Sequence, residues 1–297
     1  MSSAVPRLAV VAAGAMGAAV AKRLTSFGCT VYTNLDGRSE ATRKRAQDAG
    51  MIDLPLDELV LKSDWILSIL PPRDAVSFAG KIQGVAAKHG SSLPSPQTFV
   101  NCNAVNPETV KRIAALFAGT GIEFVDAGII GGPPRGDQNP TFYASAEDVK
   151  ILDEFTALSK YGLKVSPLKG KDAGVGDASA LKMSYAGITK GTTGLYATMV
   201  LAAYASSPAT ADALMRELQI SQPILLDRLV KTVPPMLPKA YRWIGEMEEI
   251  GDFVGGSEGD VYRGLARVYE RIEKSIAGDQ EDIATLTKFV EKAKESR

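Results

Sequence analysis

The sequence has very little cysteine and histidine. Cys29 and Cys102 are the only cysteines, and His89 is the only histidine among 297 residues. Two cysteines are too few for a disulfide framework or a thiolate metal site, and a single histidine excludes a metal site built from several imidazoles. A Ser–His–Asp hydrolase would have to use His89, which lies in a polar segment typical of a loop. We therefore expect no bound metal.

The sequence also lacks an excess of charge and a long apolar run. Lys and Arg number 34, Asp and Glu number 34, and the formal net charge is zero, so electrostatics gives no reason to expect nucleic acid or an anionic membrane as a partner. No apolar run reaches the roughly 18 residues that a membrane span needs. Residues 1–21 resemble a signal peptide, but they contain two glycines and continue into an amphipathic helix. We expect a soluble, cytoplasmic protein whose ligands are small molecules.

A strand, a glycine turn and a helix follow one another in residues 8–24, LAVVAAGAMGAAVAKRL. Gly14 would allow a pyrophosphate to approach the backbone, and Gly17 would allow the helix to pack closely on the strand. The first glycine of the usual G-x-G-x-x-G pattern is replaced by Ala12. Small residues beside a strand can also serve packing alone, but the stretch favours dinucleotide binding.

A second strand, CTVYT, ends at the loop NLDGRS, where a dinucleotide-binding fold contacts the adenosine ribose. Asn34 begins this loop. Asp36 would favour NAD by accepting a hydrogen bond from the ribose hydroxyl, whereas Arg38, Ser39 and Arg43 would favour the phosphate of NADP. Asp36 can also belong to a simple turn. The loop predicts NADP, with NAD as the alternative.

Strand and helix patterns alternate as far as residue 167, and only helical patterns follow. We therefore predict an α/β Rossmann domain with a doubly wound, mostly parallel sheet over residues 1–167 and an all-helical domain over residues 168–297. The helix expected over residues 174–205 has little polar face, which predicts burial at a domain or subunit interface. The predicted strands are 8–11, 29–33, 64–70, 98–102, 122–127 and 140–144, with a short unit near 51–52; the predicted helices are 40–49, 75–89, 108 onward, 146–160, 174–205, 209–230, 238–253, 257–277 and 281–296.

Several short motifs occur in a fixed order: GAMG after a strand, ILPP, NPET, DAGIIGG and a lysine-bearing helix after a glycine-rich segment. This order resembles the β-hydroxyacid dehydrogenase family, which is related to 6-phosphogluconate dehydrogenase, over nearly the whole chain. The segments ALKMSYAGITKG and RWIGEMEEI look most like a poorly characterised branch of that superfamily. The resemblance implies an NAD(P)-dependent oxidoreductase acting on CH–OH groups. Together with the long apolar helix, it implies a homodimer.

The resemblance also implies cofactor contacts. The phosphate loop of the family is matched by Gly14, Ala15, Met16 and Gly17. Its loop over the nicotinamide ribose is matched by Leu70 and Pro71. Near the nicotinamide, Asn103 stands where the family usually has serine or threonine.

Residues 126–132 match the substrate-binding motif D-A-P-V-S-G-G of the family. Asp126, Gly131 and Gly132 agree with it. Gly128 replaces the proline, and Ile130 replaces a serine that would contact a substrate carboxylate. The residues expected to contact the substrate therefore match the chemistry of the family motif only in part.

Lys182 matches the catalytic lysine of the family. Transfer of a hydride from a carbinol requires removal of the hydroxyl proton, and a lysine beside a cofactor cleft can serve as that acid or base. A solvent-directed lysine at a helix edge is the alternative. Tyr185 stands where the family has an asparagine and is either a substrate donor or a core tyrosine. Lys190 is a second candidate.

Arg242 could hold a substrate carboxylate or pair with Glu246 four residues along the helix. The resulting prediction is a hydride transfer between nicotinamide and a small hydroxy acid or its carbonyl form. An imine or carbonyl reductase for a substrate without a carboxylate and a non-catalytic NADP-binding protein are the alternatives.

Overall fold

The computed structural model describes residues 5–94 and 96–295. It has two compact units, Met1–Lys182 and Met183–Arg297. The division falls inside one long helix. The predicted boundary at residues 167 and 168 lies before that helix begins.

The first unit is built on an eight-stranded sheet with the order β3-β2-β1-β4-β5-β6-β7-β8. Every neighbouring pair is parallel except β6 and β7, which are antiparallel. The doubly wound, mostly parallel sheet is confirmed. The strands are β1 (Arg7–Val11), β2 (Thr30–Thr33), β3 (Ile52–Asp53), β4 (Trp65–Ser68), β5 (Gln97–Asn101), β6 (Ile122–Ile130), β7 (Thr141–Ser145) and β8 (Lys164–Pro167).

Helices cover both faces of this sheet. Leu8 and Val10 of β1 belong to one core and Ala9 and Val11 to the other, because successive side chains of a strand point to opposite faces. Burial on both faces explains the nearly continuous apolar strands of the sequence. The helices of this unit are α1 (Ala15–Ser26), α2 (Glu40–Asp48), α3 (Leu56–Lys62), α4 (Ala75–His89), α5 (Pro107–Ala115) and α6 (Val149–Ala157).

Two elements of the first unit are absent from the prediction, and one is longer than predicted. The short helix α3 and the edge strand β8 carry no strong pattern in the sequence. β6 continues to Ile130 rather than ending near residue 127, because its last residues pair with β7 as far as Ile130 opposite Thr141.

The second unit is helical, as predicted. The single helix expected over residues 209–230 is two helices instead, because Gln222 ends one and Pro223 begins the next. None of the helices in the described ranges combines the length and apolarity needed to cross a bilayer. The helices are α7 (Asp177–Ser206), which begins in the first unit, α8 (Pro208–Ser221), α9 (Pro223–Met236), α10 (Ala240–Val254), α11 (Gly259–Ala277) and α12 (Glu281–Glu295).

Candidate functional site

The glycine turn between β1 and α1 has the shape that a phosphate requires. Gly14 occupies the N-cap position of α1 with φ −70°, and no side chain caps this end of the helix. A Cβ on Gly17 would lie 2.0 Å from the carbonyl oxygen of Ala12, so only glycine allows this close packing. A Cβ on Gly14 would meet no atom within 4 Å. The uncapped amides of α1 and the open space over Gly14 therefore fit a dinucleotide pyrophosphate.

This turn lies at the place where the strand order reverses, between β1 and β4. Open α/β sheets bind ligands in the crevice at such a point, outside the carboxyl ends of the strands. The loop after β4 is fixed there, because the amide of Leu70 donates to Oδ1 of Asn103 at 2.6 Å. Leu70 and Asn103 are buried, whereas Pro71 is exposed. Ala15 and Met16 belong to the first turn of α1.

Four buried polar residues form a row across the sheet. Ser68 of β4 pairs with Asn101 of β5, Asn101 with Asp126 of β6, and Asp126 with Ser145 of β7. All four are 0% exposed. Nδ2 of Asn103 donates to Oγ of Ser68 at 2.9 Å and to Oδ1 of Asn101 at 2.7 Å. We call Ser68, Asn101, Asp126 and Ser145 the polar row.

The polar row receives the first turn of α7. The amide of Ala178 donates to Oγ of Ser145 at 3.1 Å. The amide of Ser179 donates to one oxygen of Asp126 at 2.8 Å, and the Ser179 hydroxyl donates to the other at 2.8 Å. Gly176, with φ +107°, turns the chain into the helix. Sheet side chains thus satisfy amides that would otherwise be unpaired at the helix end.

Lys182 lies one turn further along α7, within electrostatic reach of Asp126 and Cys102. Burial raises the pKa of Asp126 to about 6, while the hydrogen bonds from Ser179 and Asn101 and the charge of Lys182 act to lower it. Burial likewise raises the pKa of the Cys102 thiol, and Lys182 again opposes the shift. The charge of Lys182 thus acts on a buried carboxylate at the sheet level where β5 ends.

Gly128 permits this arrangement. A Cβ at Gly128 would lie 2.7 Å from the carbonyl oxygen of Ala178 and 3.1 Å from Cβ of Lys182. The resembled family has a proline at this position, and its ring would occupy the same space. Further along, Ile130 ends β6 with a partly exposed side chain. Gly131 has φ +125° and packs on Pro140, while Gly132 borders open space.

The predicted ribose loop is largely exposed. Nδ2 of Asn34 donates to Asp36 at 2.9 Å and to the carbonyl of Leu54 at 3.0 Å, so Asp36 is held within its own loop. Arg38 and Ser39 are exposed. These two side chains remain candidates for the phosphate of NADP.

Arg45 is a further candidate for contact with the cofactor, and the sequence prediction omits it. Its Nε donates to the carbonyl of Ala13, inside the glycine turn, at 3.2 Å, and its Nη2 donates to Thr42 at 2.8 Å. Arg43 is engaged elsewhere, since it donates to the carbonyl of Leu35 at 2.7 Å and lies 3.9 Å from Asp53. The contact of Arg45 depends on how α2 packs against the turn, which no local pattern shows.

Tyr185 and Arg242 belong to the second unit. Tyr185 is 51% exposed, so it is not a core tyrosine. Arg242 is exposed on α10. Glu246 is ion-paired with Lys190 rather than with Arg242. The Lys190 ammonium also lies 5.1 Å from the centre of the Trp243 ring.

Comparisons with known proteins agree with this fold. The model of the NAD binding domain of 6-phosphogluconate dehydrogenase matches residues 7–168, more than half of the chain. The chain belongs to this family. Its first unit is accordingly an NAD(P)-binding domain. Residues 205–272 match a domain of unknown function, DUF1932. No curated protein matches the sequence.

Solved structures share the fold at low sequence identity. The conserved protein MTH1747, described as structurally similar to 3-hydroxyacid dehydrogenases, is 24% identical with a TM-score of 0.65 over 90% of this chain and 97% of that one. The 3-hydroxyisobutyrate dehydrogenase of Mycobacterium tuberculosis is 14% identical with a TM-score of 0.61, covering 90% and 99%. The imine reductase of Myxococcus stipitatus in complex with NADP+ is 21% identical with a TM-score of 0.53, covering 96% and 100%. Identities this low establish the fold.

Proposed function

We propose that this protein is an NADP-dependent oxidoreductase that interconverts a small hydroxy acid and its carbonyl form, with Lys182 as general acid and base. The observation that carries the proposal is the position of Lys182. Its charge acts on Asp126 and Cys102 at the carboxyl end of β5, the side on which sheets of this type bind their ligands. Known structures with this fold include dehydrogenases and reductases.

The chain would supply proton transfer and orientation. In oxidation, the neutral amine of Lys182 accepts the hydroxyl proton while the carbon–oxygen bond becomes a carbonyl, and in reduction the ammonium returns that proton. A nicotinamide held at this site would supply the hydride chemistry. The amides of Ala15, Met16 and Gly17, together with Gly14, would hold the pyrophosphate. Ile130, Gly131, Gly132, Tyr185 and Arg242 remain candidates for the substrate side, whereas the predicted substrate contact Asp126 is fully buried and bonded to Ser179.

NADP is the cofactor we favour. The residue directly after β2 is the neutral Asn34, and the nearby carboxylate of Asp36 already accepts a hydrogen bond from it. Arg38 and Ser39 are exposed beside them. A guanidinium and a hydroxyl provide the donors that a phosphate monoester accepts.

Substitution of Lys182 tests the proposal. Lys182→Met keeps most of the side-chain volume and removes the amine, so we expect kcat to fall by about 10²–10⁴-fold while the Kd for NADPH is unchanged. Lys81→Met, at an exposed lysine of α4, is the matched control and should leave both quantities unchanged. Cofactor consumption with hydroxy acids and keto acids provides the assay. Full activity of Lys182→Met would exclude the proposed mechanism.

A second candidate function is reduction of an imine or a carbonyl compound that has no carboxylate. It is favoured by Ile130, whose partly exposed apolar side chain ends β6 where the resembled motif has serine. Paired substrates that differ only in a carboxylate separate the two functions. Tight NADPH binding with no turnover across the whole panel would favour a non-catalytic protein instead.

We also propose a homodimer formed through α7. Ile188, Leu195 and Met199 are at least half exposed, and their spacing of seven and four residues places them on one face of the helix. This heptad-like spacing suits packing against a second helix, and a two-fold symmetric pair of identical faces is self-complementary. No charged residue occurs between Lys190 and the end of α7. Sedimentation of the full chain measures its oligomeric state.

A further inference from the structure

We infer that Asp126 and Ser179 are positioning residues that hold Lys182 at the reacting atoms. This inference rests on the proposed role of Lys182. It assigns Asp126 to the support of the amine, whereas the motif resemblance assigns it to substrate contact.

The first step is the anchor itself. Both carboxylate oxygens of Asp126 accept hydrogen bonds from Ser179, one from the amide and one from the hydroxyl, each at 2.8 Å. Asp126 and Ser179 are 0% exposed. Two bonds from one residue to one carboxylate fix both the height and the rotation of the helix turn. A substrate group therefore has no approach to these oxygens.

The second step connects the anchor to Lys182. Ser179 and Lys182 are three residues apart on α7, so their side chains share one face of the helix. Gly128 lies two residues after Asp126 on β6, and a Cβ there would be 3.1 Å from Cβ of Lys182. The stem of Lys182 thus starts against the strand that carries the anchor. Any rotation of this helix turn would move the amine.

The third step connects the anchor to the cofactor side. Nδ2 of Asn101 donates to Asp126 at 3.5 Å, and Asn103 bonds both Asn101 and Ser68. Asn103 also accepts from the amide of Leu70, in the loop expected over the nicotinamide ribose. The polar row is therefore a continuous link between that loop and the turn before Lys182. A helix cap alone would not need to extend across three strands.

Three variants and one control test this role. Asp126→Ala removes both acceptors, and Ser179→Ala removes one donor while keeping the amide. Asp126→Asn can keep its oxygen toward the Ser179 amide and donate to the Ser179 hydroxyl, which can act as acceptor. It loses the weaker bond from Asn101, because its new NH2 group then faces Nδ2 of Asn101, which is also a donor. Ser63→Ala is the matched control, because Ser63 is equally buried and its hydroxyl donates to the carbonyl of Leu59, within its own chain segment and outside the polar row.

We expect kcat to fall by about 10²-fold in Asp126→Ala, since a misplacement of about 1 Å has that effect on a positioned catalytic group. Ser179→Ala should show a smaller fall, and Asp126→Asn should be faster than Asp126→Ala, because it keeps both contacts with Ser179 but not the bond from Asn101. The Kd for NADPH should stay constant throughout, and Ser63→Ala should keep the wild-type kcat. Unchanged kcat in the folded alanine variants would overturn the inference. So would an Asn variant as slow as the Ala variant. If Asp126→Ala does not fold, Ser179→Ala decides.

Amide hydrogen exchange separates this inference from the proposed function. The Ser179 amide should be protected in the wild type and in Asp126→Asn, and should exchange faster in Asp126→Ala. If the wild type shows no turnover, the proposed function fails. Hydrogen exchange then tests the contact between Asp126 and Ser179 by itself, and unchanged protection of the Ser179 amide in Asp126→Ala would overturn the inference. If Lys182→Met is inactive but Asp126→Ala and Ser179→Ala are fully active, the function stands and the inference fails.

Discussion

Gly17→Ala should destabilise the first unit. The new Cβ would lie 2.0 Å from the carbonyl oxygen of Ala12, whereas real Cβ atoms essentially never come closer than 3.0 Å, so turn and helix have to separate by about 1 Å. The turn cannot move freely, because the amide of Ala12 donates to Ile69 of the neighbouring chain segment at 3.3 Å. Alanine gains about 0.5–1 kcal/mol over glycine in a helix, and overpacking costs about 1–3 kcal/mol or more. We expect a net loss of about 1–2 kcal/mol in the free energy of unfolding.

Urea unfolding in a Trp243→Phe background measures this loss, because the remaining tryptophan, Trp65, then reports on the first unit alone. Gly14→Ala is the matched control. Its Cβ would meet nothing within 4 Å and its φ of −70° suits alanine, so stability should be unchanged or higher by about 0.4–1 kcal/mol. The methyl group would occupy the space expected for the pyrophosphate, so NADPH should bind about tenfold more weakly, equal to about 1.4 kcal/mol.

Two results would refute this reasoning. Wild-type stability of Gly17→Ala would show that the close approach to Ala12 does not exist in solution. Wild-type NADPH affinity of Gly14→Ala would show that the space over Gly14 is not the pyrophosphate site.

Three further predictions address charge and assembly. Burial raises the pKa of Asp126 from 3.8 to about 6, so its contribution to stability is complete below pH 3.8 and is lost as the pH rises through 6. Between pH 4 and 7 the wild type should therefore lose about 2 kcal/mol of unfolding free energy relative to Asp126→Asn. A pH-independent difference in urea unfolding would contradict this. Arg38→Ala should weaken NADPH binding by about 10–100-fold, because a charged hydrogen bond is lost, and it should leave NADH binding unchanged in calorimetry. Asp36→Ala is the control variant. Equal weakening of both cofactors would exclude the assignment of Arg38 to the phosphate of NADP. Leu195→Glu should convert a dimer to a monomer in sedimentation, whereas Ile220→Glu, at a residue 80% exposed outside the row on α7, should not; two dimeric variants would refute the α7 interface.

The sequence predicts the fold best where burial imposes a strong pattern. Strands buried on both faces are apolar runs, and the amphipathic helix α4 has the predicted bounds Ala75–His89. The short helix Leu56–Lys62 and the edge strand Lys164–Pro167 are missed, because seven and four residues carry too little periodicity to separate them from loops. The expected burial of α7 at a domain or subunit interface stays a prediction: Ile188 and Leu195 are exposed in the single chain, where no second copy can cover them.

The candidate site, like the fold, is predicted by the sequence only in part. The glycine turn is visible in the sequence because its residues are contiguous. The polar row is not, since Ser68, Asn101, Asp126 and Ser145 are single polar residues in apolar strands, and their adjacency depends on strand order and register. Arg45 is missed for a related reason, because its contact with the turn is tertiary.

Two departures from the resembled substrate motif lie on one strand, and the structure explains them together. Asp126, Gly128 and Ile130 alternate along β6, so they share one face of the sheet. Both oxygens of Asp126 accept hydrogen bonds from Ser179, and Gly128 has no side chain beneath α7. Beyond them the strand ends in an apolar side chain. A substrate that approached Lys182 along this face would meet isoleucine where the family offers a hydroxyl, and burial of a carboxylate beside it without a donor would be costly. Ile130 therefore favours the second candidate function, and paired substrates that differ only in a carboxylate test whether this face makes the distinction.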